Sequence, residues 1–184
     1  MLRRMINAAR LDRTTYEEVE NDPNATLQAI LVVIIVALAA GIGAFLAVQD
    51  EAINPIWGLV SGVIGGLIRW ALWALVTFLV GTTILKTART NASWSQLART
   101  TGFAQTPGIL QILVFIPIIG WIIGAIAGIW QLVAMVVAVR QALDYDSIWR
   151  TLGVVVIGFI IVVIVLAIIG GLIAVVGGPE LPGI

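Results

Sequence analysis

Long apolar stretches alternate with short polar ones along this chain, and most of the stretches are long enough to cross a bilayer. The first, 26–48, ends at the polar turn Gln49, Asp50, Glu51, Asn54 and Pro55. The second, 56–85, is long enough to tilt or protrude. A polar stretch from Lys86 to Gly102 follows; in it Ser93 and Gln96 have capping-box spacing, and Trp94, Leu97 and Thr101 share one side, as in an interfacial helix. Two further spans are expected at 120–139 and 148–176, separated by the acidic turn Asp144-Tyr-Asp-Ser147 and closed by Gly177-Gly178-Pro179. The segment 103–117 is the short one, lying between polar residues and Pro117-Ile-Ile-Gly120. At about 14 residues it falls below the ~20 that an α-helix needs to span, and one kinked helix over 107–139 is the alternative.

Charge decides between them. With five crossings, Arg3, Arg4, Arg10, Arg13, Lys86, Arg89, Arg99, Arg140 and Arg150 all fall on one side, and no basic residue falls on the other. Four crossings would place Arg140 and Arg150 outside, against the positive-inside tendency. The expected fold is therefore all-α, a polytopic helix bundle of five transmembrane helices, N-terminus cytoplasmic and C-terminus extracytoplasmic. Residues 1–25 form a cytoplasmic amphipathic segment, 26–178 the membrane domain and 179–184 an extracytoplasmic tail. Trp57 and Trp121 fall at outer ends and Trp94 and Trp149 at inner ends, where amphipathic rings anchor at the interface.

The N-terminal segment has its own pattern. Leu2, Met5, Ile6 and Ala9 share one face of a helix over 2–11, with Arg3 and Arg10 on its flank. Such a helix suits the headgroup region of an anionic leaflet, or is a solvated start. Thr15 and Glu18 have capping-box spacing, and Asp22-Pro23 reads as an N-cap and first helical residue. MLRRMINAARLDRTTYEEVENDP is too polar for a cleaved signal peptide, so targeting is expected from the first span.

One charge lies where charge is costly. Arg69, in GGLIRWALWAL, is about 18 Å below Trp57 at ~1.5 Å per residue, and no acidic residue occurs in any span. Arginine at a helix centre costs about 2.5–3.5 kcal/mol on insertion scales, so Arg69 should face protein or water. Gly58, Gly62 and Gly66 are followed three residues later by Arg69; Gly120, Gly124 and Gly128 are followed three residues later by Gln131. Small residues let helix backbones approach. The echo predicts that the second and fourth spans pack in parallel along these glycines, with Arg69 and Gln131 as an intramembrane polar pair. Such repeats are also common in membrane helices, and Arg69 reaching a phosphate, a water or a carbonyl is the plainer reading.

Composition narrows the chemistry. The 184 residues are 60% hydrophobic and 11% charged, with mean hydropathy +1.09 and zero formal net charge. No histidine and no cysteine occur. That excludes thiol catalysis, disulfides, histidine proton relays and the usual transition-metal ligands. There is no phosphate loop, nucleophile elbow or zinc motif, and the Asp144/Asp146 pair reads as a solvated turn rather than a cation site. No catalytic residue, cofactor or metal is expected, and with no net positive field, no nucleic acid. The partners expected are the lipid bilayer and either further copies of the chain or other membrane subunits.

The stretches RMINAARLDRTTYEEVENDPNATLQA, TGFAQTPGILQIL, IPIIGWIIGAIAGIWQLV and VAVRQAL resemble prokaryotic members of the Yip1-domain family. The resemblance covers nearly the whole chain and implies a five-spanning protein with a cytoplasmic N-terminus, here in a prokaryotic cell membrane. Eukaryotic relatives act in vesicle trafficking, and some bind Rab GTPases. The short N-terminal region, ending near Ala25, does not support carrying that role over. Three readings follow in order: a non-catalytic protein that organises or shapes the membrane, a small accessory subunit, and a transporter or channel using Arg69 with Gln105, Gln111 and Gln131.

Overall fold

The structure, a computed structural model, describes residues 1–48 and 54–176. The turn residues Gln49, Asp50 and Glu51, the Gly177-Gly178-Pro179 stop and the 179–184 tail lie outside the described residues. Among the described residues seven α-helices follow one another: α1 (Leu2–Ala9), α2 (Arg13–Asn21), α3 (Ala25–Val48), α4 (Pro55–Leu79), α5 (Trp94–Ala104), α6 (Gly120–Ala142) and α7 (Ile148–Val176). A π-helical turn, Val80–Ile84, prolongs α4, and a 3₁₀ helix, Thr106–Phe115, follows α5. Among the described residues, four stretches are long and apolar enough to cross a membrane: Ala25–Ala47, Pro55–Ile84, Gly120–Ala142 and Ile148–Leu172.

Local chemistry sets the helix starts. Asn54 caps α4, its side-chain oxygen accepting from the Ile56 and Trp57 amides at 3.0 and 3.3 Å, and Pro55 occupies the first helical position. Ser93 and Gln96 form the expected capping box at α5. At α2 the cap differs from the expected Thr15–Glu18 box. Asp12 is the N-cap, accepting from the Thr14 amide and from both threonine hydroxyls, so Thr15 is spent as a donor at 2.7 Å. Asp22 likewise closes a turn onto the Asn24 amide at 2.9 Å, and α3 starts beyond it at Ala25.

The short segment 103–117 departs most from expectation. Helix α5 is not interfacial: every residue from Leu97 to Ala104 is buried, Trp94 alone being well exposed at its start. It packs on α3, α4 and α6 and beneath α2. Its polar residues fit there because the Thr100 and Thr101 hydroxyls donate to carbonyls one turn back, Gln96 and Leu97. The 3₁₀ helix then continues alongside α3. Gly102 lies against Ala29, Gly108 against Val36 and Gln111 against Gly43, so the segment climbs α3 in parallel with it. A 3₁₀ helix rises about 2.0 Å per residue against ~1.5 Å for an α-helix, which lengthens the reach of few residues. Pro117 and Ile118, the latter at φ 70°, then turn the chain into α6.

The glycine echo does not bring α4 and α6 together. They are not among the closely packed helix pairs; α5 packs on both of them, and the 3₁₀ helix packs on α6. A side chain added at Gly62 or Gly128 would meet nothing, and Gly58 is exposed. Gly66 faces Ala37 on α3, while Gly120 and Gly124 face Val114. Two glycines meet backbone at close range: Gly120 of the echo, where a methyl would lie 1.9 Å from the Val114 carbonyl oxygen of the preceding turn, and one outside the echo. A methyl on Gly43 would lie 2.1 Å from the Gln111 carbonyl oxygen, backbone against backbone.

The packing is uneven along the bundle. On α4 the buried residues begin at Trp70, and on α7 they end at Val162. The opposite halves of both helices present Ile56, Trp57 and Ile64, and Ile164, Ile168 and Leu172, outward. The dense half is the one that carries α1, α2 and α5.

Gly43→Ala is expected to destabilise the bundle by about 3 kcal/mol or more, since neither backbone can yield. Gly62→Ala, facing open space on a helix, should change it by no more than about 0.5 kcal/mol or stabilise it slightly. Thermal unfolding of the two variants in the same detergent checks the contrast.

Candidate functional site

Two regions gather polar chemistry. The first is the basic end of the bundle. Arg99 is buried at 8% exposure, and its guanidinium reaches across to the end of α2. Nε donates to the Val19 carbonyl at 3.0 Å and the Glu20 carbonyl at 3.1 Å, Nη2 also donates to Glu20 O, and Nη1 to Thr26 Oγ1 at 3.5 Å. These are the C-terminal carbonyls that a helix leaves without partners, and a cation there also complements the helix dipole. Around this clamp Arg4 bonds Glu18, Asp22 and Gln28, with ion-pair distances of 2.8 Å to both carboxylates. Arg140 donates to the Tyr145 and Asp146 carbonyls, and Arg89 pairs with Asp146 at 3.0 Å. Arg13, Arg89 and Arg140 share a shallow cavity of about 380 Å³ with Asp144 and Asp146. Among the described residues no cluster of carboxylates suited to a metal occurs.

Glu20 sits in this end with its carboxyl buried, accepting from Gln96 Nε2 at 3.2 Å. Burial, with the nearby negative charges of Asp144 and Glu17, pushes it up to about 7 despite the opposing Arg99. Tyr145 is also buried here; its hydroxyl lies 2.8 Å from the Gly81 and Leu85 carbonyls that the π-turn presents.

The N-terminal helix is fastened to this end. Trp130 Nε1 donates to the Ala9 carbonyl at 2.7 Å and the buried Tyr16 hydroxyl to the Ala8 carbonyl at 3.0 Å. Met5 and Ala8 are buried, whereas Leu2 and Ile6 are 68% and 45% exposed, with Arg3 beside them. The apolar face read from periodicity is thus divided between the bundle and the outside.

The second region is a cavity within the apolar zone, about 430 Å³, bounded by α3, α4, α6, α7 and the 3₁₀ helix. Arg69 and Gln131 both line it, together with Gln105, Gln111, Trp70 and Trp73. No hydrogen bond joins Arg69 to Gln131, because the Gln131 amide is already used. Its Nε2 donates to Gln105 Oε1 at 2.8 Å and Gln105 O at 3.2 Å, and its Oε1 accepts from Gln111 Nε2 at 3.0 Å. Gly108 makes room for that amide: a methyl there would lie 2.4 Å from Gln131 Nε2. Arg69 itself makes no hydrogen bond or ion pair with any described residue. Of its tryptophan neighbours, Trp70 donates to the Ala98 carbonyl at 3.2 Å, and the Trp73 indole nitrogen is buried without an acceptor.

The four tryptophans expected as anchors, Trp57, Trp94, Trp121 and Trp149, each lie in the first turn of a helix and are 71%, 41%, 71% and 80% exposed. Arg99, Glu20 and Tyr145 were not singled out by sequence. The available signal was a capping box followed by small residues and paired threonines, the composition of a buried helix rather than a wet one.

Replacing Gln131 by Leu should cost about 1–2 kcal/mol, the worth of buried amide bonds between membrane helices, with Gln105 and Gln111 left unmatched. Denaturant titration in micelles reads it. At the basic end, Glu20 favours the folded state while protonated and loses that contribution as pH rises from about 4.5 through about 7. The unfolding midpoint should therefore fall between pH 5 and 8, a window in which the chain has no histidine to titrate. Glu20→Gln should flatten the slope; an unchanged slope would remove Glu20 as its source.

No curated protein and no solved structure is significantly similar to the chain. The Yip1 domain matches residues 11–170, which takes in α2 through the buried part of α7 and every residue of both polar regions except those of α1. The chain is a multi-pass membrane protein and belongs to the Yip1 family.

Proposed function

We propose that this Yip1-family protein is non-catalytic and organises or shapes the prokaryotic cell membrane in which it sits. It crosses five times, the third crossing being made by α5 and the 3₁₀ helix, with the basic end in the cytoplasm. The parallel climb of residues 102–111 along α3 and the one-sided arginines support that topology.

The observation that carries the reading is the division of α1. Met5 and Ala8 hold it to the bundle while Leu2 and Ile6 face away, with the exposed Arg3 reaching Glu18 of α2 at 3.5 Å, which is how a helix lying in the headgroup plane presents itself. Burying the exposed parts of Leu2 and Ile6 among lipid contributes roughly 1–2 kcal/mol each, enough to fix the depth of a helix that is already attached. Because α1, α2 and α5 add cross-section at one end only, the molecule occupies more of the cytoplasmic leaflet than of the outer one.

Reconstituted into anionic vesicles with one orientation, the protein should shift them to smaller diameters or tubules as its density rises. Leu2→Asp with Ile6→Asp should abolish the shift and leave unfolding unchanged, since neither side chain is needed for the fold. Vesicles of equal size with wild type, variant and no protein, measured by electron cryomicroscopy, would refute the reading.

A further inference from the structure

The intramembrane cavity holds a positive charge without a counter-ion. Arg69 lines it unpaired, and the Trp73 indole N–H beside it is shielded without an acceptor. Both are donors, and both lie on α4 one turn apart. The glutamines on the opposite wall are tied to one another, so they do not neutralise the guanidinium. The height is set by Gly66 meeting Ala37 near the middle of α3, within the hydrocarbon rather than at its edge. The remaining wall is apolar, with Phe159, Val163 and Leu166 of α7 along one side. A cavity so built asks for one acidic group attached to an apolar body.

We infer that this cavity binds a single-chain carboxylate amphiphile, its carboxylate on Arg69 and its chain along Phe159, Val163 and Leu166. The planar guanidinium matches a carboxylate in two parallel hydrogen bonds, and in a dry site that pairing is strong. Size and charge both select this occupant. About 430 Å³ admits one acyl chain, whereas a single turn of a partner helix, about 10–12 Å across, would fill the whole space with nothing left for its neighbours. A carboxylic acid enters the hydrocarbon as the neutral acid and is held as the carboxylate by the exposed Arg69, its proton returning to bulk water. A phosphodiester stays charged at every working pH and is held at the headgroup level. The site is independent of the membrane-shaping reading: no residue of α1 lines it, and neither Leu2 nor Ile6 borders it.

The test uses the full chain in detergent micelles, with dibromostearate as the probe and tryptophan quenching as the readout, since Trp70 and Trp73 line the cavity. The expected result is a saturable quenching component that unlabelled oleate displaces and that the dibromostearate methyl ester lacks. Arg69→Gln should weaken this component by at least about tenfold, as expected for losing one charge-assisted pair. Val163→Phe keeps the charge but narrows the space, and should weaken it as well. Arg69 has no partner to lose and Val163 is 47% exposed, so unfolding midpoints should stay near wild type in both. Equal quenching by acid and ester in the wild type would overturn the inference, as would both variants binding like wild type. Displacement of the probe by inorganic phosphate would make this a small-anion site instead. A stoichiometric second chain that co-purifies with wild type and is lost with Arg69→Gln would assign the counter-ion to a protein partner.

Discussion

The guanidinium of Arg99, seated on the last carbonyls of α2, is the contact on which the arrangement of the basic end depends. Without it, α5 would present a buried cation and α2 an open row of acceptors to an apolar surface, each costly alone. Together they cancel: the donors of one are the missing partners of the other, and Thr26 takes the remaining nitrogen. The joint fixes α2 over α5, and α5 over α3 and α4 through Ala29 and Trp70. Arg4 and Trp130 then hold α1 in place from two sides. The placement of α1, and with it any action on the leaflet, is thus a consequence of how one helix C-terminus is satisfied.

A second constraint is length. Between the capping box at Ser93 and the turn at Pro117 there are too few residues for a wet loop, an interfacial helix and a full α-helical crossing. The chain reconciles these by burying the first part and stretching the second into a 3₁₀ helix. That geometry is poorer in hydrogen bonding than an α-helix, so neighbours must compensate. They do so by close backbone approach at Gly43 and by the glutamine bonds from Gln105 and Gln111 to α6. The glutamines therefore have a structural role whether or not a ligand is present.

These two constraints also explain what the sequence disclosed. The four long helices were legible to within a few residues because continuous apolarity, Asn54-Pro55 and the turn at Asp144 mark them directly. The depth of Arg69 and Gln131 followed from rise per residue, and both line one cavity. What pairs with what was not legible. An Arg among threonines reads as solvated until it is known that the threonines bond their own helix and that the arginine meets the end of another. Evenly spaced glycines suggest a helix contact, yet spacing says nothing of which neighbour arrives: Gly120 of the echo meets Val114 of the turn before it, and the close approach to α3 fell at Gly43, where no repeat drew the eye. A π-turn has no pattern at all; Thr82 and Thr83 bonding back to Phe78 and Leu79 are its only local trace.

The same unevenness of packing underlies both functional readings. Where α1, α2 and α5 crowd the basic end, the long helices are held together and small side chains such as Ala74, Ala134 and Ala138 are fully buried. Beyond Trp70 nothing is inserted between α4 and α6, and they stand apart around the space that Arg69 lines. Closing that space would need a larger side chain at Gly128, which lines it with room to spare, or a shorter wedge at the other end. A bundle broad at the basic end and sparse beyond it therefore arrives with a cavity at the level where its packing runs out. A cation placed at that level lies beside void rather than protein, so its cost of about 2.5–3.5 kcal/mol is offset only by what enters the void.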